Sequence, residues 1–206
     1  MDEDRLMKNT AIRTMLLGVR EIVGQNGLKT IINRAGIKID ADNLPPNNMD
    51  ESSVKISDCA KYENAIRDIY GDKGARAILF NVGVAQALAG IEENKDLAEA
   101  TLKAFEGMEN TERIRIVLTT AATGVSEQIG TEIVVSEDGD AFLYEDKVCN
   151  HCFGMSVDHP ICHMARGFVY ALTRWATQTD DYEAVQTACA GMGDASCIIR
   201  VNRKAV

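Results

Sequence analysis

Five of the six cysteines of this chain lie in its last third. They form a Cys149-x2-Cys152 pair, a single Cys162, and a Cys189-x7-Cys197 pair. Thiolates that a fold gathers usually bind a metal ion or take part in redox chemistry, whereas scattered cysteines usually pack as small apolar side chains. A fold that uses this cluster must bring three separated segments of the chain to one place.

The composition indicates a folded domain that does not bind polyanions. The 206 residues are 46% hydrophobic, which is enough for a substantial core. A net charge of -9 argues against duplex nucleic acid and against an anionic membrane surface. The start of the chain is acidic, unlike a secretory signal, and we expect no stretch with the length of a membrane span. The sequence therefore predicts a cytoplasmic protein without nucleic-acid or membrane partners, whose cysteines stay reduced.

Helical periodicity dominates the first half of the chain. Gly24 and Gly71 interrupt it, and a loop that contains Pro45 and Pro46 separates two groups of helices. The predicted helices cover residues 5–23, 28–35, 58–70, 74–90 and 94–106.

The pattern changes towards strands in the second half. Asp138-Gly139 is a strong hairpin signal. Asp158 is the expected cap of one late helix, over about 160–177. The predicted strands cover residues 113–118, 131–136, 141–144, 182–190 and 196–201. We therefore predict an α+β fold, in which N-terminal helices precede an antiparallel sheet that carries one late helix.

The cysteine region has the donors of a zinc site. Zinc prefers four sulfur or nitrogen ligands in a tetrahedron, and a Cys-x2-Cys pair can bind one ion with both sulfurs. The two arms of the last hairpin can bring two more sulfurs together, and the start of the late helix favours a thiolate. Five cysteines and three histidines lie here, and the candidate ligands are Cys149, Cys152, Cys162, His163, Cys189 and Cys197.

Alternatives to zinc remain open from the residues alone. The sulfurs could be free buried thiols, or they could form an iron–sulfur cluster or disulfides. Cys59 lies far away in the sequence, on an early helix, and is expected to be a core residue. If the fold encloses a cavity, the first candidates to line it are large apolar residues, although aromatic side chains are more often simply core. They are Phe80, Phe105, Met164, Phe168 and Trp175.

The C-terminal motifs resemble the 4-vinyl reductase domain. The resemblance lies in Cys149-x2-Cys152, in the segment from His159-Pro160 to Phe168, and in Ala188-Cys189-x-Gly-Met-Gly-Asp-x2-Cys197. The block from Ile69-Tyr70-Gly71 to Gly83 is similar to the N-terminal half of that domain. The similarity covers residues 60–202.

The resemblance implies an α+β fold shared with haem–nitric-oxide sensor domains and vesicle-tethering subunits. It also implies a homodimer and an internal cavity for a small apolar or cyclic ligand, such as an aromatic compound or a tetrapyrrole. Residues 1–56 would then be a helical extension and residues 57–206 the ligand-binding domain, together one compact unit. In sensor members of the family, a zinc ion is held by residues that match Cys162, Cys189, Cys197 and position 186. Position 186 is Gln186 here, and a neutral amide is a poor zinc ligand.

Two functions follow as expectations. The first is a small-molecule binding or sensor domain with a structural zinc site. The second is an enzyme, or an enzyme accessory, in 4-vinyl reduction of a (bacterio)chlorophyll precursor. The chain shows no Gly-x-Gly-x-x-Gly motif after a predicted strand that would bind a dinucleotide reductant, so we expect a binding module rather than a catalyst.

Overall fold

The structure is a computed structural model that describes residues 4–205. The first half is helical, with one small two-stranded sheet. Its elements are β1 (Leu6–Lys8), α1 (Asn9–Ala35), β2 (Ser52–Lys55), α2 (Ile56–Glu93), α3 (Lys95–Ala104) and α4 (Asn110–Ile129). Strands β1 and β2 pair antiparallel, with Met7 opposite Val54.

The second half contains a four-stranded antiparallel sheet and the late helix. Its elements are β3 (Ile133–Asp138), β4 (Ala141–Asp146), α5 (His163–Thr177), β5 (Tyr182–Ala188) and β6 (Cys197–Arg203). The strand order is β3-β4-β6-β5, so the two hairpins meet where β4 pairs with β6. The predicted α+β class is confirmed, and so are both predicted hairpins.

Two glycines interrupt the long helices where the sequence predicts breaks. Gly24 inside α1 has φ 76° and Gly71 inside α2 has φ 68°, a region that residues with a side chain seldom adopt. Gly36 ends α1 in the left-handed conformation, with its N–H bonded to the carbonyl of Asn33. Helices α1 and α2 therefore each consist of two helical segments.

The predicted strand over residues 113–118 is wrong, because this segment is part of α4. The short Arg-Ile-Arg-Ile run alternates as a strand does, but the buried residues follow a helical period. Ile114, Val117 and Leu118 lie on one buried face, while Ile116 is 38% exposed. The same face continues along the helix to Ala122 and Ile129, which a strand of six residues could not provide.

The late helix begins later than predicted. Helix α5 starts at His163, and its N-cap residue is Cys162 rather than Asp158. The Asp158 side chain bonds to the imidazole of its neighbour His159 instead. Residues 155–162 form an irregular segment that brings Cys162 to the end of the sheet.

Helix α2 is the centre of the packing. It contacts both α1 and α5, and Leu79 and Val82 of this helix are fully buried. Leu16 of α1 belongs to the same buried cluster as Tyr62 and Leu79 of α2. A second cluster lies between α4, α5 and the large sheet, and includes Leu118, Val169 and Ile199.

Helix α2 also departs from the expectation about membrane spans. It is long and apolar enough to cross a membrane by length and composition, so the expectation that no stretch reaches that length is wrong. A mostly buried core helix can meet the same criteria, but in α2 only 28% of the apolar window is buried. The fully buried Leu79 and Val82 lie on the part of α2 that packs inside the protein.

Candidate metal centre and adjacent cavity

Three segments bring the five C-terminal cysteines together at one end of the large sheet. Cys149 and Cys152 lie in the loop after β4, and Cys162 immediately precedes α5. Cys189 follows β5, and Cys197 is the first residue of β6. All five are buried and form one cluster. The predicted convergence of Cys162, Cys189 and Cys197 is therefore present in the fold.

Four of these sulfurs lie at distances that suit a single ion. Cys149 Sγ is 3.5 Å from Cys162 Sγ, and Cys197 Sγ is 3.4 Å from Cys152 Sγ and 3.6 Å from Cys162 Sγ. All four sulfurs lie within 4.8 Å of one another. Sulfurs at the corners of a tetrahedron around a zinc ion, each about 2.3 Å from it, are about 3.8 Å apart. The cluster thus already has the size of a zinc site with four cysteine ligands.

Cys189 is the fifth sulfur and lies outside that group of four. Its backbone N–H donates to Asp194 Oδ2 over 2.7 Å, which fixes the turn between β5 and β6. The backbone N–H of Ala190 donates to Cys197 Sγ over 3.3 Å. Gly191 suits this turn, because a Cβ on it would lie only 3.3 Å from the Cβ of Cys152. The turn of the last hairpin therefore serves the packing of the sulfurs.

Neither Gln186 nor His163 belongs to the group of metal-ligating residues around the four sulfurs. Gln186 Oε1 accepts the backbone N–H of Cys162, and its Nε2 donates to the carbonyl of Ala188. Both ends of the amide are thus occupied by backbone. His163 is buried, and burial together with the charges of Arg166 and Arg67 lowers its pKa to about 3.

The pKa values of the clustered thiols shift in opposite directions. Contacts from Cys149 and Cys162, followed by the other sulfurs, lower the pKa of Cys152. The pKa values of Cys149 and Cys162 are raised, chiefly by S–H donation among the neighbouring cysteines. One sulfur of the group is therefore readily a thiolate, which is the form that binds a metal ion.

The loop that carries Cys149 and Cys152 contacts both the sulfur cluster and helix α2. The two residues between them, Asn150 and His151, point away from the sulfurs and contact α2. Asn150 Nδ2 lies 3.1 Å from Cys59 Sγ, and His151 Nδ1 bonds to Glu63 Oε1. Cys59 and Glu63 are fully buried.

The charge of Glu63 controls the imidazole of His151. Burial alone would lower the pKa of His151, but the charge and hydrogen bond of Glu63 raise it to about 10. Arg67 is 3.5 Å from the other carboxylate oxygen of Glu63 and donates to the carbonyl of Ile161 over 2.9 Å. A chain of polar contacts thus runs from His151 to the start of α5.

A cavity of about 300 Å³ lies next to this loop, and Asn150 and His151 form part of its wall. Its wall comes from α1, α2, α4, α5 and the β3–β4 hairpin, with Met15, Val125 and Tyr144 among its apolar residues. Gln86 and Gln128 add polar groups. A cavity of this size is at the lower end of the range for ligand-binding sites.

The predicted ligand-binding residues divide into two groups. Met164 and Phe168 of α5 line the cavity. Phe80 instead packs against Tyr170 and lies under the guanidinium of Arg166. Phe105 contacts Trp175 edge-on, in the core between α4, α5 and the sheet.

Sequence reasoning missed the polar group formed by Glu63, Asn150 and His151. One signal for it was present: Cys59 and Glu63 are four residues apart on α2, so they share a helix face with buried apolar residues. A carboxylate on a buried face needs a partner. The partner could not be identified, because His151 is 88 residues away in the chain.

No family model matches this chain, and no curated protein matches it. Solved structures of similar fold do exist. A variant of the Tt H-NOX protein is 14% identical, with 97% of this chain and 96% of that chain covered and a TM-score of 0.54. The Fe(II) unliganded H-NOX protein from K. algicida is 11% identical, with 97% and 98% covered and a TM-score of 0.59.

A sensory domain has a similar fold too. The phenol-responsive sensory domain of the transcription activator PoxR, solved with phenol, is 14% identical, with 85% of this chain and 89% of that chain covered and a TM-score of 0.51. At these identities the likeness shows the fold alone. This chain therefore has the α+β fold of H-NOX domains, which the sequence resemblance predicted.

Proposed function

We propose that this protein is a small-molecule-binding module, in which a zinc ion bound by four cysteines stabilises one wall of the ligand cavity. The observation that carries the proposal is the position of residues 149–152. Cys149 and Cys152 belong to the group of four sulfurs, while Asn150 and His151 between them line the cavity. An ion at the sulfurs would therefore hold two cavity residues in place.

The four ligands of the ion are Cys149, Cys152, Cys162 and Cys197. Their separations are close to those of a tetrahedral zinc site. An iron–sulfur cluster suits these distances less well, because several iron atoms require their cysteine ligands farther apart than a single ion does. Zinc bound here would connect the loop after β4, the start of α5 and the start of β6.

The cavity favours a ligand with a single ring. A volume of about 300 Å³ is at the lower end of the range for ligand-binding sites, which suits a single-ring compound better than the four-ring macrocycle of a tetrapyrrole. The fold shared with the PoxR sensory domain, solved with phenol, supports a monocyclic aromatic compound as the ligand. These features favour a binding module over a vinyl reductase.

The lining offers the ligand both apolar and polar contacts. Met15, Met164 and Phe168 supply apolar contacts, while Asn150 and His151 supply hydrogen-bonding groups. A ring that carries a hydroxyl or carboxyl group would match both parts. Such a ligand would contact the same short loop that carries two of the zinc ligands.

The test measures binding of phenol and of other single-ring aromatic alcohols and acids by titration calorimetry and thermal unfolding. A ligand present at 100 times its Kd would stabilise the folded protein by about 2.7 kcal/mol. Gly124→Leu should abolish this stabilisation, because Gly124 lines the cavity and a side chain there would fill it. The matched control is Thr120→Leu, one turn earlier on an exposed position of the same helix.

The zinc site is tested separately, by measuring the zinc content of the protein. Elemental analysis should find zinc in the purified protein, and Cys197→Ser should contain one equivalent less than the wild type while Cys189→Ser contains as much as the wild type. Equal affinity of the wild type and Gly124→Leu for every aromatic probe would overturn the cavity as the binding site. An equivalent of zinc that is lost in Cys189→Ser but not in Cys197→Ser would overturn the assignment of the four ligands.

The homodimer and the absence of a nucleic-acid partner stay predictions. Sedimentation analysis of the purified protein determines the first. Salt-dependent binding to duplex DNA would contradict the second.

A further inference from the structure

The buried group of Cys59, Glu63 and His151 has the make-up of a second metal site. Each residue offers one donor atom, and the three atoms lie within 4.8 Å of one another. They are a sulfur, a carboxylate oxygen and an imidazole nitrogen, which are the three donor types that zinc binds in proteins. We propose that this group binds a second divalent ion, separate from the ion of the four-cysteine site.

The helix and the loop fix the donors in place. Cys59 and Glu63 are one turn apart on α2, and Cys59 Sγ is 3.9 Å from Glu63 Oε1. Zinc ligands of these two types are about 3.6 Å apart around one ion. On binding the ion, His151 would release its ring proton to solvent, because only the neutral imidazole is a ligand. Its Nδ1 would then move from the direct hydrogen bond with Oε1 to a separation of about 3.4 Å, a movement of under about 1 Å.

The surroundings orient the carboxylate. Arg67 lies beside Oε2 of Glu63 and leaves Oε1 to face Cys59 and His151. Asn150 Nδ2 is 3.1 Å from Cys59 Sγ, and such a donor stabilises a metal-bound thiolate. Two of the three ligands, Cys59 and Glu63, therefore already have supporting contacts of the kind that metal sites use.

One polar atom at this group lacks a partner. Asn150 is 2% exposed, and its Oδ1 has no hydrogen-bond partner among residues 4–205. A zinc ion with three protein ligands takes a water or another small ligand in its fourth position. A water bound there could donate to Asn150 Oδ1, which would give this oxygen the partner it lacks. A buried ion pair between Glu63 and His151 alone leaves that oxygen unsatisfied.

The second site would also belong to the cavity wall. His151 and Asn150 line the cavity, and they also contact the donors on α2. The metal ion itself does not depend on the cavity ligand, so this inference stands even if no aromatic compound binds. Failure of the two proposals is thus distinguishable by counting metal ions and ligand molecules separately.

The experiment removes all metal from the protein with a chelator, adds excess zinc, removes the unbound ion, and measures zinc per chain by elemental analysis. The wild type should bind two equivalents. Cys59→Ser and Glu63→Gln should each bind one, because serine and glutamine keep the size of the side chain but are weak ligands. Cys197→Ser should also bind one, and the double variant Cys59→Ser with Cys197→Ser should bind none.

Cys189→Ser is the matched control, since it also replaces a buried cysteine but should keep both ions. Circular dichroism confirms that each variant is folded. Anomalous diffraction at the zinc edge from wild-type crystals needs no variant, and should show a peak between Cys59, Glu63 and His151. A single equivalent in the wild type that Cys59→Ser leaves unchanged, or no anomalous peak at these side chains, would overturn the second site.

Discussion

Gly83 of α2 and Gly167 of α5 allow the backbones of the two helices to touch. A Cβ on Gly83 would lie 1.9 Å from the carbonyl oxygen of Met164, and a Cβ on Gly167 would lie 2.0 Å from the carbonyl oxygen of Phe80. Each glycine therefore faces the main chain of the other helix. This contact positions Met164, about one turn before Gly167, and Phe168, the residue after it, and both line the cavity.

Gly83→Ala should destabilise the protein by at least about 2 kcal/mol, because the added methyl group meets backbone atoms rather than a side chain that can move away. The free energy of unfolding in urea measures the effect. Gly90→Ala is the matched control on the same helix, since a Cβ there has no atom within 4 Å. Helix propensity should make this control more stable by up to about 1 kcal/mol. Equal stability of the two variants would contradict the close contact of α2 with α5.

The assignment of residues 113–118 to a helix has a specific consequence for stability. In a strand, Ile114 and Ile116 would share a face, whereas in a helix Ile114 shares a face with Val117. Ile114 is fully buried and Ile116 is 38% exposed. Ile114→Ala should cost about 2–5 kcal/mol, and Ile116→Ala less than about 1 kcal/mol. Urea unfolding of the two variants measures the difference, and equal losses would favour the strand.

The fold was largely predictable because its strongest signals are local. Gly24 and Gly71 break the helices where a positive φ is needed, and Asp138-Gly139 forms the predicted hairpin. Residues 113–118 were assigned wrongly because a run of four alternating residues matches a strand, while the helical period emerges only over the full length of α4. The start of α5 was placed too early for a similar reason, since Asp158 is a good cap residue but bonds to His159.

The candidate site was predictable only in part. Cysteine spacing indicated that sulfurs would meet, but it could not decide which four would be nearest, because that depends on how the loop after β4 folds against α5. The pairing of Glu63 with His151 is a contact between residues 88 apart in the chain, and nothing local to either residue reports it. The cavity is formed by several elements together, which the sequence alone does not reveal. Of the five residues predicted to line it, only Met164 and Phe168 do so.

Zinc bound by the four cysteines should add directly to the stability of the fold, because the unfolded chain does not hold the four sulfurs together. At free zinc about 1,000 times above its Kd, the expected gain is about 4 kcal/mol. A strong chelator should therefore lower the unfolding temperature of the wild type. Cys197→Ser should respond less to the chelator, because it lacks one of the four ligands. An identical response of both proteins would contradict a structural role for this ion.

The raised pKa of Asp146, at the end of β4, should make the stability of the fold depend on pH. Burial raises its pKa above 3.8, although the hydroxyl of Thr131, which donates to Oδ1 over 2.7 Å, opposes the shift. A carboxyl whose pKa is raised on folding favours the folded state at low pH and loses that contribution as the pH rises from 3.8 through the folded pKa. Asp146→Asn keeps the acceptor oxygen for Thr131 but carries no charge. The variant should thus gain stability relative to the wild type as the pH rises through this window, with urea unfolding at several pH values as the measurement. A stability difference that is constant with pH, or that changes in the opposite direction, would show that the carboxyl is not held in a desolvated environment.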